Sequence, residues 1–144
     1  MIYGIAGKIK GKDKETAVKF SVAAAPDELS TGLRESEEPE EGSGMLLYPP
    51  PDQSHLSLWM HGVPFDLDVY FLYGNPTTGW EIQEMRRMTA FDTTAVTPTK
   101  KCNAALEVRS GSGAESHVGG TFTINEASER EIVSALHRTS PEAH

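Results

Sequence analysis

The chain has 144 residues, 38% of them hydrophobic, and a net charge of −8. That length fits a single domain able to bury a core without disulfides or metals. The acidic balance argues against a nucleic-acid duplex or an anionic membrane as partner, since both require a basic surface, and the one cysteine, Cys102, excludes a disulfide within the chain.

The opening residues, Met1 to Gly7, lack the basic leader and apolar length of a signal peptide, and no run approaches the ~18 apolar residues of a membrane span. A cytoplasmic location, or a particle assembled there, is the expectation. Residues 2–9 and 16–24 alternate as strands: Tyr3, Ile5 and Ile9 share one face, and Thr16, Val18, Phe20 and Val22 share another. Gly11-Lys12-Asp13-Lys14 between them supplies turn chemistry, so a hairpin is predicted. Pro26 to Gly32 reads as one short helical turn, with proline and acids at its start and glycine at its end. Glu35 to Gly44 is an acidic, self-repelling loop without the ligand spacing of a calcium site.

Short strands follow. They are expected at Met45–Tyr48, His55–Met60, Asp66–Tyr73, Trp80–Met88, around Ala104, Leu106 and Val108, and at Thr121–Ile124. Gly74 to Gly79 and Ser110 to Gly113 are turns, and the Thr-rich stretch 89–101 reads as a surface loop. After residue 125 the character changes. Ser128 with Glu131 fits a capping box, Ile132, Val133 and Leu136 form a helical stripe, and Pro141 follows, which predicts a helix over about 127–138. Residues 1–125 are thus expected to form the domain and 126–144 a C-terminal helix and tail. Many short strands with Gly/Pro turns point to a sandwich or a barrel.

Four motifs are similar to those of the domain-of-unknown-function 192 (DUF192) family: Gly44-Met45-Leu46-Leu47, Leu58-Trp59-Met60, Leu67-Asp68-x-x-Phe71, and Leu106-Glu107-Val108 followed by Gly111. The leader Ala25 to Leu33 with Arg34-Glu35, and Gly119-Gly120 before the last strand, also resemble it. The resemblance spans roughly 16–125 and implies an all-β sandwich of jelly-roll type. The fold expected is therefore that sandwich, with a short helical turn near 26–32 and a C-terminal helix. Two departures stand out. The family usually carries a basic residue, Asn and Thr after its Trp-Met, where this chain has His61, Gly62 and Val63, and Arg34 directly follows the Gly-Leu that commonly precedes a Met-Phe pair. Copies without an export leader resemble those found in bacteriophage genomes.

Four residues are candidates for ligand contact: Trp59, His55, Asp68 and Arg34. If Leu56, Leu58 and Met60 face the core, His55 and Trp59 face outward, where a tryptophan beside a histidine can stack on a sugar or base. The alternative, and the favoured one, packs Trp59 beneath Pro49-Pro50-Pro51. Asp68 can pair with Asp66 as acid and base or as metal ligands. In the more ordinary arrangement it accepts backbone N–H groups or pairs with Arg34. His55 and His61 could share a strand face, but no zinc set accompanies them. A Ser57, His61 and Asp68 triad lacks the nucleophile-elbow sequence, and the glycine-rich pieces match no phosphate loop.

No catalytic residue, metal or cofactor is expected. The leading expectation is a non-catalytic structural or interaction protein, such as one decorating a bacteriophage capsid, with protein partners or self-association and no nucleic acid or membrane. A small-ligand, sugar-like binding module is second, and an enzyme third.

Overall fold

The computed structural model describes residues 5–11, 14–23, 33, 37–49, 56–111 and 117–124. Among them are seven strands: β1 (Ile5–Lys10), β2 (Glu15–Ala23), β3 (Ser43–Leu47), β4 (Leu67–Asn75), β5 (Gly79–Met88), β6 (Ala104–Arg109) and β7 (Thr121–Ile124). They form one closed barrel in the order β1-β2-β3-β6-β4-β5-β7. The jelly-roll sandwich is therefore corrected to a barrel. Closure rests on β7, which pairs with β1 through Ile9↔Phe122 and with β5 through Trp80↔Phe122. A closed ring leaves no open sheet edge. Strand alternation specifies which residues point inward but not whether the first strand meets the last. The helical turn expected near 26–32 and the helix expected at 127–138 lie outside the described residues. No described helix is long and apolar enough to cross a membrane.

The expected β1–β2 hairpin forms, with Lys10 opposite Glu15 and the Gly11 N–H donating to the Lys14 carbonyl at 2.8 Å. Every other pairing is antiparallel except β2–β3, which is parallel and is reached through the long connection over 24–42. That agrees with parallel partners needing a crossover rather than a tight turn.

Two hydrophobic clusters lie on opposite faces of the same strands. Inside the barrel, Phe20, Phe122 and Trp80 pack with Ile9, Leu46, Tyr70, Leu72 and Leu106. Phe122 meets Phe20 edge-on at 5.3 Å and stacks on Trp80 at 5.5 Å. Gly7 permits this arrangement, since a Cβ there would lie 2.9 Å from both the Phe20 and Phe122 rings. Gly44 likewise lets β3 approach β6: a Cβ would lie 2.3 Å from the Glu107 carbonyl oxygen.

Outside the barrel, Met45, Leu47, Leu67, Val69, Phe71 and Ala105 are covered by Leu33, Met60, Val63 and Phe65. This accounts for the uninterrupted burial of Leu67 to Leu72, which a single-faced strand would not show. The cover is a pinned ribbon. Leu58 forms a bridge with Val96, the Met60 N–H donates to the Asp92 carbonyl, and the Phe91 N–H donates to the Val63 carbonyl. Residues 56–60 thus contribute one bridge rather than the expected strand. The 89–101 stretch is the surface loop expected, mostly exposed, and it joins the cover through Val96 and these backbone bonds.

Candidate functional site at one end of the barrel

The alternation of β4 places Asp68, Tyr70 and Leu72 toward the barrel interior and Leu67, Val69 and Phe71 toward the outer cluster. Tyr70 reaches a cavity of about 140 Å³ whose lining includes Ile9, Thr16, Val18, Lys14, Glu41 and His117. Lys14 comes from just before β2 and Thr16 from its start, Glu41 from the turn before β3, and His117 from the turn before β7, closed by the Gly120 N–H on the His117 carbonyl at 2.9 Å.

Tyr70 and His117 are both buried, with Oη 3.0 Å from Nδ1. Burial, and then the charge of Asp68, raise the phenol far above its usual range, while burial and then the charge of Lys14 lower the imidazole. Both groups are therefore neutral near pH 7. Two buried polar atoms at the cavity make no hydrogen bond to a described protein group: His117 Nε2 and Thr16 Oγ1. We assign the tautomer from these facts. If the phenol donates to Nδ1, one buried donor, Nε2–H, is left unmet. The reverse leaves both the phenol proton and the Nε2 lone pair unmet, which costs more. The cavity therefore presents an N–H donor, a hydroxyl and, from Lys14, an ammonium.

Asp68 is fully buried beside this site. Its Oδ1 accepts from Arg87 Nε at 2.8 Å, and its Oδ2 accepts from Arg87 Nη2 at 3.3 Å and the Gly111 N–H at 2.9 Å. The cation is thus Arg87, opposite Asp68 in the β4–β5 register, and the described structure gives Asp68 no partner role for Asp66. Asp66 instead accepts the Ala90 N–H at 2.8 Å. His55 and Arg34 lie outside the described residues. Trp59 is 54% exposed rather than buried, with its ring 5.3 Å from His61. Cys102 packs against the outer cluster, and burial and then the charge of Glu84 push its thiol up to about 11. No group of three metal-ligating side chains occurs among the described residues.

Glu107 is the other unusual carboxyl. It stands on the outer face of β6 between Met45 and Val69, and burial pushes it up to about 7. Its Oε1 has no hydrogen-bond partner among the described residues.

Sequence reasoning missed His117, Tyr70, Thr16, Lys14 and Glu41 as a group. The available signal was the inward face of β4, which carries a carboxylate and a phenol in succession. Nothing local indicates that a histidine 47 residues away meets that phenol.

The architecture defines a small closed β-barrel with a polar end and a covered outer face. The DUF192 family, described as an uncharacterized ACR, matches residues 7–123, and the chain belongs to it. No curated protein matches the chain. A protein of unknown function from Novosphingobium aromaticivorans is similar over 83% of both chains, with a TM-score of 0.69 and 16% identity. A Sinorhizobium meliloti protein described as a candidate transcription regulator is similar over 85% of this chain and 95% of its own, with a TM-score of 0.70 and 16% identity. At such identity the likeness speaks to the fold alone.

Proposed function

We propose that this chain is a non-catalytic binding module whose barrel end holds a small polar molecule. The observation that carries the reading is the convergence of two buried polar atoms lacking a protein partner, His117 Nε2 and Thr16 Oγ1, on one cavity of about 140 Å³. Buried polar groups are ordinarily hydrogen-bonded, so two left unmet at one concavity mark a place for an external partner. Holding is favoured over reacting because the phenol and the imidazole are each shifted away from proton exchange near neutrality. The test is an amide-resolved NMR titration with small alcohols, amides and carboxylates. Saturable shifts are expected at Thr16, Val18, Tyr70 and His117, and silence across all three classes would refute the reading.

A protein-contact role, including decoration of a virus-like particle, is the second reading. It is favoured by Trp59 and by Phe91, which is 62% exposed and held at φ 62°, a left-handed conformation unusual for a bulky residue. Light scattering and co-sedimentation with particles from the source, compared between wild type and a Trp59→Ser/Phe91→Ser variant, test it. A wild type that neither self-associates nor sediments with particles would remove this reading.

A further inference from the structure

We propose that the barrel-end cavity is selective for a short-chain monocarboxylate, an inference that rests on the small-ligand reading above and gives it a chemical class. The carboxylate is received by the His117 Nε2–H, the Thr16 hydroxyl and the Lys14 ammonium, and the alkyl tail lies on Ile9, Val18 and Val108.

Three observations lead there. First, donors predominate over the one carboxylate in the lining, the exposed Glu41. With the Tyr70 proton committed to His117 Nδ1, the imidazole can only donate into the cavity. The hydroxyl of Thr16 can donate as well, and Lys14 has only donors. A guest rich in acceptors satisfies all three, and a negative one forms the stronger, charge-assisted bonds. Second, Ile9, Val18 and Val108 give the lining an aliphatic part, which suits a guest with an apolar tail. Third, the volume is small. An apolar cavity of about 150 Å³ accommodates benzene, so about six non-hydrogen atoms is the limit, the size of butyrate. Glu41 also lines the cavity and is exposed. Its carboxylate repels a second negative charge on the guest, so dicarboxylates are disfavoured on charge as well as size.

Tyr70 is a positioning residue in this scheme, because it acts on the guest only by fixing the histidine tautomer. Its test therefore reads that tautomer directly, through the ring ¹⁵N shifts of His117. Wild type should show protonated Nε2 and unprotonated Nδ1, and Tyr70→Phe should show a mixture.

The decisive experiment titrates ¹⁵N-labelled full-length protein with butyrate, butyramide and succinate at constant pH and ionic strength. Butyrate is expected to bind saturably at the cavity. Butyramide, which keeps the shape and loses the charge, should bind at least about tenfold more weakly, and succinate should bind more weakly still. Lys14→Met, at an exposed position that leaves the core untouched, should weaken butyrate by about tenfold or more. Equal affinity for butyrate and butyramide, or unchanged butyrate binding in Lys14→Met, would overturn the carboxylate assignment while leaving a small-ligand site intact. Binding of none of the three, with alcohols and other amides also silent, would remove the site itself.

Discussion

The barrel interior and the covered outer face share the strands β2 to β6, yet they handle a buried carboxyl in opposite ways. Toward the interior, Asp68 keeps its charge company: Arg87 grips both oxygens and the Gly111 N–H completes the set. Toward the cover, Glu107 sits among Met45 and Val69 with no described partner, and burial moves its carboxyl to about 7 instead. A carboxylate removed from water needs either a counter-charge with hydrogen bonds or a proton. These two residues, one on each face of a doubly buried sheet, show both solutions. The difference arises at the ends of the strands. Arg87 lies directly across from Asp68 and is half exposed, so its guanidinium reaches both the buried carboxylate and water, whereas the neighbours of Glu107 in register are apolar.

The interior should be the costlier region to damage. Phe122 is fully buried, touches Phe20 and Trp80, and lies on the strand that closes the ring. Phe122→Ala is expected to destabilise the protein by about 3–5 kcal/mol, from lost transfer energy and the void left behind. Urea unfolding measures this. A cost below that of Met60→Ala, on the cover, would reverse the ranking of the two regions.

The contrast between the carboxyls is sharpened by pH. The ordinary value for Glu107 is 4.5 and the folded value is about 7. Between those limits the unfolded chain has lost the proton and the native state retains it. Stability from this group is therefore fully present below pH 4.5 and is lost as pH rises to 7. The integrated effect is about 3 kcal/mol at one pKa unit per 1.36 kcal/mol. Glu107→Gln removes the titration, so the difference in unfolding free energy between variant and wild type should change by that order between pH 4.5 and pH 7.5 and then flatten. A difference independent of pH would show that Glu107 is not buried as an acid.

Asp68→Asn tests the other solution. The amide keeps an acceptor for the Gly111 N–H but loses the ion pair with Arg87. Because Arg87 is 56% exposed, it can turn to water, and the expected cost is about 1–3 kcal/mol, less than for stranding a fully buried cation. Chemical denaturation of the variant against wild type measures this cost, and a loss well above that range would mean that Arg87 cannot turn to water.

The strands themselves were legible. Alternation in Thr16 to Val22 and in Leu67 to Tyr73, and turn chemistry at Gly11 and at Gly74 to Gly79, identify pieces of the barrel from a few neighbouring residues each. The family was also legible in the Gly-Met-Leu-Leu, Trp-Met and Leu-Asp motifs. What local pattern cannot carry is long-range pairing. Phe122 gives no sign that it lies between β1 and β5, so a sandwich and a barrel read alike. Leu56, Leu58 and Met60 alternate like a strand, but their apolar side faces the outside of the barrel, where a ribbon serves as well as a sheet. Asp68 was recognisable as an acid in an apolar run, and acceptance from a backbone N–H was the right kind of structural role. The cation that pairs with it, Arg87, becomes its neighbour only through the β4–β5 register, and Arg34 lies outside the described residues. The Tyr70–His117 pair was invisible for the same reason.

Trp59 supplies the smallest effect and the cleanest contrast with the buried tryptophan. Trp80 is enclosed by Tyr48 and Phe122 in the barrel interior. Trp59 points away from Met60, exposes just over half of its surface and, among the described residues, has His61 as its ring neighbour. A large aromatic left outside contributes little to folding, because the water it displaces on folding is limited. Trp59→Ser is therefore expected to change stability by no more than about 0.5 kcal/mol, while removing most of the fluorescence that external quenchers such as acrylamide can reach. Quenching should fall almost entirely on Trp59 in the wild type and leave a blue-shifted, protected Trp80 signal in the variant. A loss of stability as large as that of Met60→Ala would mean that Trp59 belongs to the cover after all. In that case a contact surface built on it would have no footing.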